Sequence, residues 1–598
     1  MFKIVKQLFN LLTTGQRKRF YVLQILVLLM AFAEIFGVVS IIPFMALVGD
    51  MSQLKKETLI AQLYQVSGIN SEMQFVFLLG LGVLVMLFFS AIISMITTWR
   101  LSVFGNKVGV EIADRLYAHY LKQVWLFHAS GSSAQLTKKI AIEAQRVTGG
   151  IIVPLMHMNA RIVLSFLMCL SILSYDPKVA IIGLVIFAVS YFILFKVVRM
   201  RLQFNGKAIS EVNEQRFRLM NSGFGGIKDV LLLGRANYFI NNFNQMGQTL
   251  AYSQGTNTAL AQVPRYFMEL VAFGSMIALV LYLIASHNGN LGIILPIISV
   301  YALTTFKLLP AFQQIYSSIA GIKSNIAAFD SIQQDLIDSI QTKPELTRQE
   351  QSYFHPKHKI SLENITFTYP GIEEPTLKNL NMSISAKSVI GIVGPSGSGK
   401  STLIDILLGL VQPQKGQLRI DTTIINDQNL RSWQNSIGFV VQSIFLSEGT
   451  IAENVAFGIS EDQIDLDRVK RALKLSHLTD LLESLEHGIY TKVGERGVKL
   501  SGGQRQRIGI ARALYHEAEV LVFDEATSSL DGITEKLIME AIQNFSGQKT
   551  IIMIAHRLKT VQKCDKIFFM QKGKIVDQGT YKELIETNEH FKKMTAHA

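Results

Sequence analysis

Six apolar stretches of membrane-spanning length crowd into the first half of this chain, at 20–47, 75–98, 151–173, 179–198, 259–284 and 291–316. A helix needs about 20 mostly apolar residues to cross the hydrocarbon core, because every backbone N–H and C=O must be bonded within the segment once water is gone. The stretches therefore predict a bundle of six transmembrane helices. Arg265 and Glu269 interrupt the fifth, and Lys307 and Pro310 the sixth, so a four-span chain with two re-entrant segments is the competing arrangement. Composition agrees with a membrane protein: only 17% of residues are charged, against about 25% in soluble domains.

The loops orient the spans. Arg100, Lys107, Arg115, Lys122, Lys138, Lys139 and Arg146 lie between spans two and three; Arg199, Arg201, Lys207, Arg216, Arg218, Lys228 and Arg235 lie between spans four and five. The turn Ser286–Asn290 has no Lys or Arg, and Tyr175–Lys178 only Lys178. Positive loops stay on the cytoplasmic side, which puts both termini there and the first span in place as an anchor, not a removed leader. The net charge of +13 is spread between apolar runs instead of along one stripe, so no nucleic-acid partner is expected.

Each cytoplasmic segment, about 50 residues with few breakers, is too long for a structureless loop. Both read as helices extended out of the bilayer and turned back by short connectors, near Val124–Gly131 and Phe217–Lys228. Leu54, Leu59, Ile60, Leu63 and Tyr64 recur near helical spacing after span one, as in an amphipathic helix on the outer membrane surface or one packed on the protein. Residues 1–329 thus form the membrane domain, 330–358 a polar linker, and 359–598 an α/β domain. Cys169 and Cys564 form no framework and suggest no metal.

The second half carries the chemistry. The apolar run Val389–Val393 leads into Gly394, Pro395, Ser396, Gly397, Ser398, Gly399, Lys400 and Ser401, and then into a helical stretch from Thr402. A glycine loop between strand and helix lets successive N–H groups close around phosphates; Lys400 adds a cation and Ser401 a hydroxyl for Mg²⁺. Val520–Phe523 ends in Asp524, placed to hold the metal, and Glu525, placed as general base. Ser501, Gly502, Gly503 and Gln504 open another helix and offer a second anion site. His556 follows a further strand, Ile551–Ala555, where its imidazole could reach a γ-phosphate.

These motifs, in this order, resemble the ATP-binding cassette family, across the whole chain and most specifically from Lys359 onward. The resemblance implies ATP and Mg²⁺ as ligands, and a P-loop NTPase domain fused to a six-helix exporter domain (type I exporter, or type IV fold). It implies that Tyr369 stacks on adenine, and that Gln442 reaches Mg²⁺ and the attacking water. It further implies that Thr491–Gly497 touches the connecting helices and that Ser528–Asp531 crosses between paired cassettes. In that family Leu500–Gln504 of one chain completes the phosphate site of another, so one cassette per chain implies a homodimer, here in a bacterial inner membrane.

Arg265 and Lys307 put cations inside the membrane, where charge is costly and either functional or paired. They are candidate contacts for a lipid diphosphate; salt bridges to Glu269 or Glu34 are the competing account. The surrounding stretches are similar to flippases of lipid-linked oligosaccharides, although a third cationic position falls on Ser90. The preferred cargo is a polyprenyl-diphosphate-linked glycan. A lipid of the lipid A core type and a hydrophobic drug are the alternatives, and an ATP-gated channel is the alternative of another class.

Overall fold

The computed structural model describes residues 2–49, 51–55, 59–69, 71–175, 177–286, 291–341, 352–525, 545–555 and 558–596, with 532, 535–536 and 539–540. The chain forms two compact units: residues 1–123 with 130–343, and residues 124–129 with 344–598.

Long helices make up the first unit. Glu72–Leu121, Pro177–Gly225 and Leu291–Gln341 have 50, 49 and 51 residues. At about 1.5 Å per residue each is more than twice the ~30 Å hydrocarbon thickness, so much of each helix lies outside the bilayer. Among the described residues five helical segments, counting those joined end to end, are long and apolar enough to span; the sixth stretch lies on Leu291–Gln341. Thr13 starts the first spanning helix through a capping box with Gln16. Pro264, which has no N–H to donate, separates Ala236–Gln262 from Pro264–Ser286.

Two local readings shift. The polar run from Asp330 is helical as far as Gln341, and Ile332 and Leu336 are fully buried; its polar residues are one face of a packed helix, with Asp335 paired to Lys139 at 2.7 Å. A short connector, Trp125–Ser130, falls where the sequence places one. The other, Ile227–Leu232, begins later than expected because Gly223 and Gly225 stay in the preceding helix and the chain turns at Gly226. Near the outer loop, the short helix Leu59–Ser67 packs Tyr64 edge-on to Phe75 at 5.1 Å.

Within this unit a buried polar cluster ties three helical segments together. Arg146 donates to Glu143 at 3.0 Å, Ser210 at 2.6 Å and Asn325 at 3.1 Å. It also reaches the carbonyls of Gly206 and Ser324 at 3.3 and 3.4 Å. A side chain at Gly206 would strike the Ser324 carbonyl, so glycine there permits the approach that brings these partners into reach. A π-helical turn lies on each side of Arg146, at Lys139–Glu143 and Thr148–Ile152.

Among the described residues the second unit holds ten strands: β1 Lys359–Phe367, β2 Leu377–Ser385, β3 Val389–Val393, β4 Lys415–Ile420, β5 Thr423–Ile424, β6 Ile437–Val440, β7 Val520–Asp524, β8 Thr550–Ile554, β9 Lys566–Gln571 and β10 Lys574–Gly579. They form an antiparallel sheet ordered β2-β1-β4-β5 and a sheet ordered β10-β9-β3-β8-β7-β6. From β9 to β6 the second sheet is parallel. Its central strands β3 and β8 are buried along their whole length, as near-continuous apolar runs in a covered parallel sheet must be. Parallel pairing sends the carboxyl ends of β3, β6, β7 and β8 to one edge, where ligands of open α/β sheets bind.

Residues 124–129 belong to this unit although they come from the middle of the helical chain. Leu126 packs against its apolar core, and the Trp125 side chain hydrogen-bonds Asp405.

Candidate nucleotide site and membrane charges

Gly394 leaves β3 with no room for a side chain, since a Cβ would strike the Met570 carbonyl. Gly397 and Gly399 take φ of 76° and 99°, a region that costs other residues strain and glycine little. The loop then enters the helix Lys400–Leu407. The buried Lys400 ammonium folds back to donate to the carbonyls of Gly394 and Pro395, at 2.9 and 3.0 Å. Burial lowers its pKa, while Glu525 and then Asp524 work the other way. The Ser398 hydroxyl is buried and, among the described residues, finds no hydrogen-bond partner. A cation donating to carbonyls of its own loop and a buried hydroxyl without a described partner, in a loop where Gly394 leaves no room for a side chain, fit a bound polyphosphate.

β6 and β7 are parallel neighbours, so Gln442 and Glu525 emerge side by side just beyond their carboxyl ends. Gln442 Nε2 donates to Glu525 Oε2 at 2.7 Å. Glu525 has φ of 49°, an uncommon backbone state for a residue with a Cβ and one enriched at active sites. Its N–H is held by the Ile554 carbonyl at 3.2 Å. Ser401, exposed in the first helical turn, with Asp524 and Gln442, supplies the oxygen donors that a hard cation such as Mg²⁺ takes. Tyr369 sits edge-on to Phe367, with centroids 4.9 Å apart, and its hydroxyl is 3.2 Å from that of Thr402. His556 and the Ser528–Asp531 loop lie outside the described residues.

Ser501 caps the helix Gly502–Tyr515 through a capping box: its hydroxyl accepts from Gln504 N–H at 3.2 Å, and Gln504 Oε1 accepts from Ser501 N–H at 2.8 Å. Ser501 and Gly502 are exposed. Among the described residues no hydrogen bond or ion pair is seen between Ser501–Gln504 and the Gly394–Lys400 loop. Arg512 anchors the same helix, donating to the carbonyls of Asn454 and Phe445 at 2.9 and 3.1 Å.

Sequence reasoning missed Asp405, on the helix that Lys400 begins. Burial and then Asp524 push its carboxyl up to about 6, against the hydrogen bond from Trp125. No motif marks it, but a lone acid among Leu403, Ile404, Ile406 and Leu407 was a visible signal.

In the membrane domain Arg265 pairs with Glu269 on its own helix at 2.6 Å. Lys307 lies 3.4 Å from Glu34. The two cations are therefore not brought into a single cluster; each has a carboxylate. Arg161, a cation inside the third apolar stretch that the sequence reading passed over, lies 3.8 Å from Glu34 as well. Ser90 is buried beside Gly37, whose added Cβ would lie 3.8 Å from the Ser90 hydroxyl.

Residues 377–528 match the family model described as ABC transporter, and residues 22–308 the model described as ABC transporter transmembrane region. The ATP-dependent lipid A-core flippase of Ralstonia nicotianae is 28% identical over 496 residues, covering 82% of each chain. That of Cupriavidus pinatubonensis is 29% identical over 495 residues, again covering 82% of each. The flippase of Escherichia coli strain K12 is 28% identical over 498 residues, covering 83% of this chain and 84% of its own. A solved bacterial Atm1-family ABC exporter with ATP bound shares the fold with a TM-score of 0.78 at 22% identity, covering 97% of this chain and 98% of that one.

Proposed function

The chain belongs to the ABC transporter family, with membrane and ATPase regions fused, and from that premise we propose that it works as a homodimer flipping a phosphorylated glycolipid. Its activity is ATP hydrolysis coupled to transport across the membrane in which it is embedded. In the proposed cycle the Gly394–Thr402 loop takes the phosphates and Tyr369 the adenine. Ser401, Gln442 and Asp524 hold Mg²⁺, which when bound offsets phosphate charge. Glu525 accepts a proton from the attacking water that Gln442 orients, and His556 contacts the γ-phosphate. Ser501–Gln504 of the second copy completes each site, so ATP draws the two cassettes together and hydrolysis lets them part.

The pairing of Gln442 with Glu525 at 2.7 Å, beside the Lys400 loop, carries the catalytic part of this reading. Glu525→Gln should keep ATP binding and lower steady-state hydrolysis by about 10²-fold or more, the usual weight of a general base. Undiminished phosphate release from that variant would remove Glu525 from the role.

For the cargo, the relatives favour a lipid of the lipid A core type over the polyprenyl-diphosphate-linked glycan. The second reading is kept by Lys307, a cation on the sixth membrane helix loosely paired with Glu34, with Arg265 on the fifth as a separate candidate contact. The test is hydrolysis in proteoliposomes containing either lipid, alongside a flipping assay. The lipid that raises both signals is the cargo; stimulation by a hydrophobic drug alone would reject both lipids. The positive loops support cytoplasmic termini, in a bacterial inner membrane.

A further inference from the structure

Glu34 is a carboxylate only 5% exposed, on a helix whose membrane stretch is otherwise apolar but for Gln24. Side chains from three other helices converge on it. Ser94 donates to one carboxylate oxygen at 2.8 Å, Arg161 lies 3.8 Å from that same oxygen, and Lys307 lies 3.4 Å from the other. The two cations are each about a third exposed, with side chains 34% and 36% accessible. Two positive charges thus face one negative charge, at separations long for an ion pair. The contrast within the same unit is Arg265, held at 2.6 Å by Glu269 on its own helix.

A loose pair with surplus positive charge, open on the cation side and closed on the anion side, is arranged for exchange. A phosphate carries more charge than a carboxylate and offers more acceptor oxygens, so it can take over both cations. Glu34 would then keep only the hydroxyl of Ser94. When no anionic headgroup is present, Glu34 keeps Arg161 and Lys307 from standing bare inside the membrane. We propose that Glu34 is an internal counter-anion, which holds Arg161 and Lys307 until the phosphate of an incoming lipid displaces it. Glu34 thereby sets how strongly the site prefers phosphorylated headgroups. This inference rests on the phosphorylated-lipid reading above.

The experiment uses the full chain in proteoliposomes and measures the lipid concentration that gives half-maximal stimulation of ATP hydrolysis, relative to each variant's own basal rate. Wild type, Glu34→Gln and Ser94→Ala are titrated with a lipid of the lipid A core type and with a polyprenyl-diphosphate-linked glycan. A dephosphorylated counterpart of each, and inorganic phosphate, serve as controls. Glu34→Gln should lower the half-maximal concentration of the phosphorylated lipid about tenfold, within the usual range of coupling between sites. It should leave that of the dephosphorylated lipid in place. Ser94→Ala, which keeps the charge but removes its donor, should shift in the same direction by less, and it carries the test if Glu34→Gln does not fold. An unchanged or raised value with phosphorylated lipid, or an equal shift with the dephosphorylated one, would overturn the proposal. A response to inorganic phosphate equal to that of the lipids would overturn the lipid as ligand. If wild type responds to neither lipid, the functional reading itself fails; if it responds and the variants do not shift, only the role of Glu34 fails.

Discussion

Tyr369 reaches the phosphate-loop helix through one hydroxyl contact, 3.2 Å to Thr402, while Phe367 holds its ring from the side at 4.9 Å. The two contacts separate cleanly by substitution. Tyr369→Phe keeps the ring and should weaken ATP binding less than about twofold; Tyr369→Ala loses the aromatic face and should weaken it about fivefold, as expected for a stacking contact worth roughly 1 kcal/mol. A fluorescent-nucleotide titration checks both, and equal affinities for the two variants would count against adenine stacking. At this scale the glycine loop is legible in sequence, because Gly394–Lys400 is contiguous and the positive φ of Gly397 and Gly399 calls for glycine. Glu34 with Arg161 was not legible. Their meeting depends on the rotation of separate helices about their own axes, and no local spacing encodes that.

Arg146 illustrates what holds whole elements together. Its guanidinium makes bonds to Glu143, Ser210, Asn325 and two carbonyls, and Glu143 is fully buried. Arg146→Met would leave Glu143 with Lys138 at 3.4 Å as its remaining cation. Removing one partner of a buried pair costs about 3–5 kcal/mol, and the nearby lysine puts the expectation at the lower end. A thermal-shift measurement in detergent should therefore show a clear drop, partly recovered by adding Glu143→Gln, since the second change removes the unpaired charge. Element types and most lengths follow from apolar runs and loop charge. Element ends do not: the polar residues after Asp330 look like a linker until Ile332 and Leu336 are seen buried, and Gly223 and Gly225 look like a turn although they remain helical. In both cases tertiary packing overrides a local signal.

At the scale of the molecule, six residues of the membrane half complete the ATPase half. Trp125 hydrogen-bonds Asp405 on the helix that follows the phosphate loop, and Asp405 in turn feels Asp524. The expected role is transmission. Trp125→Ala should retain basal ATP hydrolysis while losing most of its stimulation by lipid, read as the ratio of the two rates in proteoliposomes. A proportional fall in both rates would mark Trp125 as merely structural. The fold class at this scale was legible, but membership of residues 124–129 was not, because Trp125 and Leu126 read as surface residues of a connector.

That membership also bears on how the chain is made. A ribosome releases Val124–Ala129 roughly 200 residues before Pro344, a delay of about 10–40 s at ordinary synthesis rates. Throughout that interval Trp125 and Leu126 wait with no cassette to receive them. Completion of the C-terminal unit is therefore tied to a segment already inserted with the membrane helices, and a cassette translated alone would emerge with a seat for Leu126 unfilled.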